Sequence, residues 1–235
     1  MKTQSLLTVF LSCATLLSNA QSSLSVSQDF QSFSGSSYPA STSLQSFTHK
    51  QDVVGSQYLF KDWVKGSVTN KAGITFTNGY FNFDKINQSL YLQLKDTSAA
   101  FLIDKNQLKS VSLSDGNTSY LLEKVPVLDS SNLYNALVKG SKYSLYSFTK
   151  TSFIPSNYQT NGIVTTGKLY DEFKDEVTYY VIFPDGSPHQ IALKKKAIKS
   201  LFQTDKGKVD KFFKVYSDSQ LDENLLKSLV EELNQ

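Results

Sequence analysis

Few side chains in this sequence are placed to do chemistry, and each is short of a partner. His49 and His189 are the only histidines, and they lie far apart in the chain. A zinc site takes three or four His, Cys or acidic ligands, so both histidines would have to meet among carboxylates. The single cysteine, Cys13, falls within the first twenty residues. Without it the chain has no disulfide, thiolate ligand or cysteine nucleophile. Serine is abundant, yet no Gly-x-Ser-x-Gly elbow occurs. His189, beside a turn, is a single titratable group rather than part of a triad. The densest acidic run is Asp171-Glu172-Phe173-Lys174-Asp175-Glu176. Its oxygens suit calcium, but it lacks the spaced Asp/Asn-Gly loop of a specific site, which favours a solvated turn or strand start. Lys194-Lys195-Lys196 with Lys199 offers cations to phosphates or anionic lipid. Three consecutive lysines cannot share one helix face, so a solvated helix start is favoured. Trp63 and the many tyrosines offer ring faces for sugar stacking, although half-buried strands prefer the same residues. The sequence assigns no catalytic, cofactor-binding or metal-binding residue, and implies no cofactor.

Charge narrows the partners. All 24 basic residues are lysine, and the formal net charge is +3. Removing Lys2 with an N-terminal signal lowers this by one. A near-balanced surface does not steer toward nucleic acid. The absence of arginine removes the usual tool for bidentate phosphate and guanine contacts. We therefore expect no nucleic-acid partner.

The N-terminus carries the clearest message. Met1-Lys2 supplies a positive charge, Leu6 to Leu17 a short apolar stretch, and Ser18-Asn19-Ala20 a small-residue exit. That pattern is a secretory signal over residues 1–20, with Gln21 as the expected mature start. The apolar stretch is too short and too interrupted for a membrane span, which needs about 20 apolar residues, so the mature chain is expected to have no transmembrane helix. Residues 21–52 are rich in Ser, Gln and Thr with scattered apolar positions, and read as a flexible leader.

The rest, 53–235, reads as a single α+β domain, β-rich over 53–193 and helical over 194–235. Leu90, Leu92 and Leu94 alternate with Tyr91, Gln93 and Lys95, the period of a half-buried strand. Asp84 to Gln88, Ser114 to Asn117 and Pro184 to Ser187 read as hairpin turns. Gln57 to Phe60 begins the first strand region, and Ala99 to Ile103 continues the series. Residues 129–140 read as a short helix, because Asp129-Ser130-Ser131 offers a cap and Leu133, Tyr134, Leu137 and Val138 share a helical face. Residues 151–166 read as a loop. Beyond 194, apolar residues at helical spacing form three stripes, the last capped by Ser219. Strands first and helices last imply a mostly antiparallel sheet of hairpins or meander, covered by the C-terminal helical segment.

Several runs carry a family likeness: Gly55-Ser56-Gln57-Tyr58-Leu59-Phe60, Trp63-Val64-Lys65-Gly66, Gly79-Tyr80-Phe81-Asn82-Phe83-Asp84 and, late in the chain, Tyr179-Tyr180 with Lys194-Lys195-Lys196 and Leu201-Phe202. Over residues 55–235 the sequence resembles an uncharacterised secreted protein family of Bacteroidetes, without established activity. The resemblance implies export and an α+β fold, and no particular chemistry. The expectation is thus a secreted or periplasmic cell-envelope protein, periplasmic, outer-membrane-associated or extracellular. It is expected to be non-enzymatic and to act by contact with an envelope protein. The alternatives are a glycan-binding module using Trp63 and exposed tyrosines, and an unrecognised hydrolase using His189.

Overall fold

The computed structural model describes residues 52–94 and 100–235. The signal over 1–20, the leader up to Gln51 and the first residue of the expected Ala99–Ile103 strand lie outside the described residues. The strands are β1 (Val53–Val54), β2 (Val64–Asn70), β3 (Thr75–Phe76), β4 (Tyr80–Asp84), β5 (Ser89–Gln93), β6 (Ala100–Ile103) and β7 (Leu108–Ser114). They continue as β8 (Ser119–Val125), β9 (Asp129–Lys139), β10 (Ser144–Ile154), β11 (Gln159–Thr160), β12 (Thr165–Thr166), β13 (Asp171–Ile182) and β14 (Pro188–Ile191). Helices α1 (Lys195–Leu201), α2 (Lys206–Val215) and α3 (Glu223–Leu233) complete the chain. The fold is α+β, as the order of patterns implied.

Twelve strands make one sheet with the path β1-β13-β10-β9-β8-β7-β2-β4-β5-β6, while β3 pairs β2 and β14 pairs β13. Pairing is antiparallel except at β1, which lies parallel to β13 with Val53 opposite Asp171. The three expected turns link β4 to β5, β7 to β8 and β13 to β14.

One face of the sheet carries two apolar cores. The first lies among the earlier strands, with Val68, Phe81, Leu90, Leu92, Leu108, Val111 and Leu113 fully or almost fully buried. The second lies under the helices, where Leu145 and Val181 of the sheet meet Ile198, Phe202, Phe212, Leu226 and Val230. The helical stripes form because their apolar side chains recur on the face toward the sheet. α3 is capped by Asp222, whose side chain accepts from Leu225 N at 2.9 Å, rather than by Ser219. Its far end is tied to the sheet by Asn234, whose Oδ1 accepts from the backbone N–H groups of Lys142 and Tyr143 and whose Nδ2 donates to Tyr143 O.

Two expectations are corrected. Residues 129–139 are a strand, not a helix. Leu133 points into the first core, whereas Tyr134 packs with Val125 and Tyr146 on the opposite face of the sheet. A strand buried on both faces loses its period of two. A register shift against β10 then lets both Leu137 and Val138 pack against the helix-covered core, imitating helical spacing. The apparent cap at Asp129 instead accepts from Ser131 N, closing a turn into the strand. The expected loop over 151–166 is also partly strand. β10 runs on to Ile154, pairing along the whole of β13, and β11 with β12 forms a small separate hairpin.

Residues 55–60 form a strap across the open side of the curled sheet. After β1 pairs with β13, Gly55 turns with φ +80° and passes against the Phe173 carbonyl, where any Cβ would collide with backbone. Leu59 N then donates to Phe83 O and Lys85 N to Gln57 O, which joins the strap to β4 and its turn. The Gln57–Phe60 segment expected as the first strand is therefore this strap, bridged to β4 only at Tyr58 and Asp84. Buried Asn82 holds it by accepting from Phe60 N and donating to the carbonyls of Phe60 and Asp62. Buried Asp84 accepts from Gln57 Nε2 at 2.8 Å and from the N–H groups of Ile86 and Asn87 within its own turn.

Candidate functional site

The residues that sequence singled out do not converge. His189 is half-buried on β14, its ring 4.6 Å from that of Phe183, and one of its ring nitrogens lies 3.1 Å from Ser187 Oγ. Ser187 Oγ itself donates to Asp185 Oδ1 at 2.6 Å, so the serine proton goes to the acid and not to the imidazole. This chain closes the Asp185–Ser187 turn and is the reverse of a serine nucleophile activated by histidine. His189 therefore does not serve as the base of a Ser187 nucleophile. Among the described residues no group of three or more His, Cys, Asp or Glu is gathered for a metal ion, and His49 and Cys13 lie outside those residues.

The acidic run is dispersed by strand geometry. Alternate side chains of β13 point to opposite faces. Asp171 is buried and accepts from Ser156 N at 2.7 Å, while Glu172 takes the exposed Lys168 at 2.6 Å. Asp175 pairs with Lys85. The lysine run opens α1 and serves helix packing. Lys199 meets Asp210 at 2.8 Å and lies over the Phe213 ring, and Lys195 donates to Ser217 O. Trp63 is half-buried. It shares a small cleft with Tyr58 and Tyr91, whose rings meet edge to face at 6.4 Å. Burial, then the charge of Asp84, raises the phenol pKa of both tyrosines.

What sequence did not bring together lies on the other side of the strap. β13 is paired along one side by β10 over its full length. Its other side is met by β1 at Asp171 and Glu172, and by β14 from Tyr179 to Ile182. Between them, residues 173–178 have no strand partner on that side among the described residues. Beside this gap an apolar groove of about 510 Å³ is lined by Val53, Ile86, Phe153 and Phe173, with Tyr58 at one end. The rings of Phe153 and Phe173 lie 5.1 Å apart across the β10–β13 pair. Val53, Ile86 and Phe153 remain exposed.

Further along the same face of β13, between the two cores, is a cavity of about 220 Å³. Its walls include Leu59, Leu122, Leu133 and Val177. Lys85, in the β4–β5 turn, reaches into it with only 9% of its side chain exposed, and Nζ sits 2.6 Å from Asp175 Oδ2. Asp175 Oδ1 also accepts from Thr151 Oγ1. Gln88, the only non-glycine residue with positive φ among those described, stands in the same turn at φ 51°. Its Nε2 donates to Lys85 O and Thr149 O, fastening the turn to β10, while its Oε1 is buried without a partner. Strained backbone of this kind costs about 1–3 kcal/mol and persists only where its surroundings fix it. Tyr120 also lines the cavity, and its phenol pKa is raised by burial and then by the charge of Glu223 at the start of α3. The same carboxylate, after burial, helps push Tyr179 up to about 12.

Lys85 and Gln88 read in sequence only as turn residues, and Asp175 only as part of an acidic run. The only signal that could have marked them was a non-glycine residue at the turn's last position. No helix among the described residues is long and apolar enough to cross a membrane. Neither a protein-family model, nor a curated protein, nor a solved structure matches this chain.

Proposed function

We propose that this chain is an exported, non-enzymatic cell-envelope protein that acts by contact with another protein, and that the contact is made at the outer edge of β13. The observation that carries the reading is the gap at residues 173–178, flanked by paired strand on both sides and bordered by the Phe153–Phe173 groove. Such an edge offers unpaired backbone groups to an extended segment, and the groove offers pockets for its alternate side chains. A second copy of this chain suits the gap poorly. Antiparallel self-pairing centred there sets Asp175 opposite Glu176, and like charges opposed across strands are unfavourable. Export rests on the pattern of residues 1–20.

The test is site-specific photo-crosslinking in cells from Glu176, with Asn117 in the β7–β8 turn as control. We expect a discrete adduct from Glu176, mapped to an extended segment of an envelope protein, and N-terminal sequencing that begins at Gln21. Equal adducts from both positions, or retention of residues 1–20 on a cytosolic protein, would reject the reading.

A second reading, glycan contact at the half-buried Trp63 beside Tyr58 and Tyr91, is favoured by that aromatic cleft. It predicts a shift of Trp63 fluorescence with polysaccharide, and an unmoved spectrum removes it.

A further inference from the structure

We infer that the cavity between the two cores is a binding site for a small, uncharged, hydroxyl-rich molecule of about one sugar ring, held by Lys85, Ser147 and Tyr120. The inference is independent of the edge reading. It begins with an ammonium that is nine-tenths buried yet underused. Lys85 Nζ carries three N–H donors, and its one acceptor among the described residues is Asp175 at 2.6 Å. Two donors are thus left for whatever fills the cavity. Asp175 opens to solvent on its other side, so the desolvated partner is the ammonium, and a desolvated ammonium is costly unless its remaining donors are met.

The wall repeats this underuse. Ser147 is 5% exposed, and its hydroxyl has no hydrogen-bond partner among the described residues. The Tyr120 hydroxyl is in the same position. Asn135 accepts from Leu121 N through Oδ1, which leaves its Nδ2 donors free. These groups come from β8, β9, β10 and the β4–β5 turn. The turn is held against β10 by Gln88 in its left-handed conformation. A polar constellation drawn from several elements is how small-molecule sites are built.

Charge selects the ligand class. An anion entering the cavity meets Asp175 and Glu223; a cation meets the buried Lys85 ammonium. A neutral molecule meets neither penalty. The lining groups are a mixture: Lys85 and Asn135 donate, the carboxylates of Asp175 and Glu223 accept through lone pairs beyond those already engaged, and the two hydroxyls do both. The ligand must therefore donate and accept around its periphery. Leu122, Leu133 and Val177 cover its C–H faces. Ringed polyols have this character. At ~30 Å³ per water the space of about 220 Å³ holds roughly seven waters, enough for one ring.

The experiment is saturation-transfer NMR on residues 21–235 with glucose, galactose and myo-inositol at millimolar concentrations, alongside inorganic phosphate and butylamine. Amide shifts of Gln88 and Asn135 locate the ligand. We expect transfer to at least one polyol and to neither charged probe. Ser147→Ala and Tyr120→Phe remove hydroxyls without protein partners, so both variants should fold. Each should weaken the polyol by about three- to tenfold, the range of one hydrogen bond. Lys85→Met should abolish binding. If Lys85→Met does not fold, the two hydroxyl variants still decide. No transfer to any of the three polyols, preference for phosphate or amine, or binding lost in Trp63→Ala and untouched in Ser147→Ala would each overturn the assignment.

Discussion

The half of the sheet under the helices and the half closed by the strap are held by different physics. Under α1, α2 and α3 an apolar core predominates, with polar ties only at its border, from Asn234 and Asp205 to Lys142 and Tyr143. Tyr143, Phe183 and Phe202 pack together, Tyr143 edge to face against both others, with ring centres 5.0–6.0 Å apart. The strap instead depends on polar groups: the buried Asn82 and Asp84, and buried Lys85 paired with the more exposed Asp175. An apolar core is stabilised by area and tolerates imprecise placement. A buried polar joint is specific, and it fails abruptly when one partner is removed. The difference predicts that the two halves respond to different substitutions.

The largest effect should come from the helix-covered half. Phe202→Ala empties a fully buried site between Tyr143 and Phe183. We expect a loss of about 3–5 kcal/mol, read as a lower urea midpoint with an unchanged slope. Asn82→Ala strikes the other half by leaving the Phe60 N–H and C=O without their side-chain partner. The expected cost is about 2–3 kcal/mol. Limited proteolysis should cut within residues 55–62 before the helices are touched; simultaneous loss of both halves would refute the division. Gly55→Ala places a Cβ against Phe173 O at positive φ. It should cost about 1–2 kcal/mol and raise hydrogen exchange at Val53 and Val54 selectively.

Acid probes the polar border of the helix-covered half. Burial pushes the Asp205 carboxyl up, but hydrogen bonds from Lys142 and Tyr143 outweigh it, and the net displacement is downward. A carboxyl lowered in the folded state binds its proton less readily there than when unfolded. Its stabilisation is complete above the unfolded value near pH 4 and disappears as pH falls through the folded one. Asp205→Asn should flatten this acid limb of the stability curve. Chemical denaturation between pH 2 and 5 checks it, and an unchanged limb would remove Asp205 as its cause.

The same contrast explains what was legible in the sequence. The helical stripes and the alternation of Leu90, Leu92 and Leu94 are local signals that need no knowledge of the far chain. The turns were legible because Asp and Gly punctuate them. β9 misled because its side chains are buried on both faces and its register shifts at Leu137. The cavity was out of reach for a different reason. Lys85 meets Asp175, and Gln88 meets Thr149, only after the sheet has curled. Composition marks none of them. The motif Phe81-Asn82-Phe83-Asp84 was visible as a pattern, but its meaning was not. The rings fill the core, and the two polar residues fasten the strap.

That strap has a consequence for how the chain reaches its final form. Val53 cannot find Asp171 until nearly the whole intervening sequence exists. Closing so long a loop is entropically slow and is postponed behind local hairpins. A polypeptide made from its first residue onward must therefore leave Val53 and Val54 without their partner strand through most of its synthesis. The last stitch is among the earliest residues made, and the window before it is drawn tight is when this protein is most exposed to misassembly.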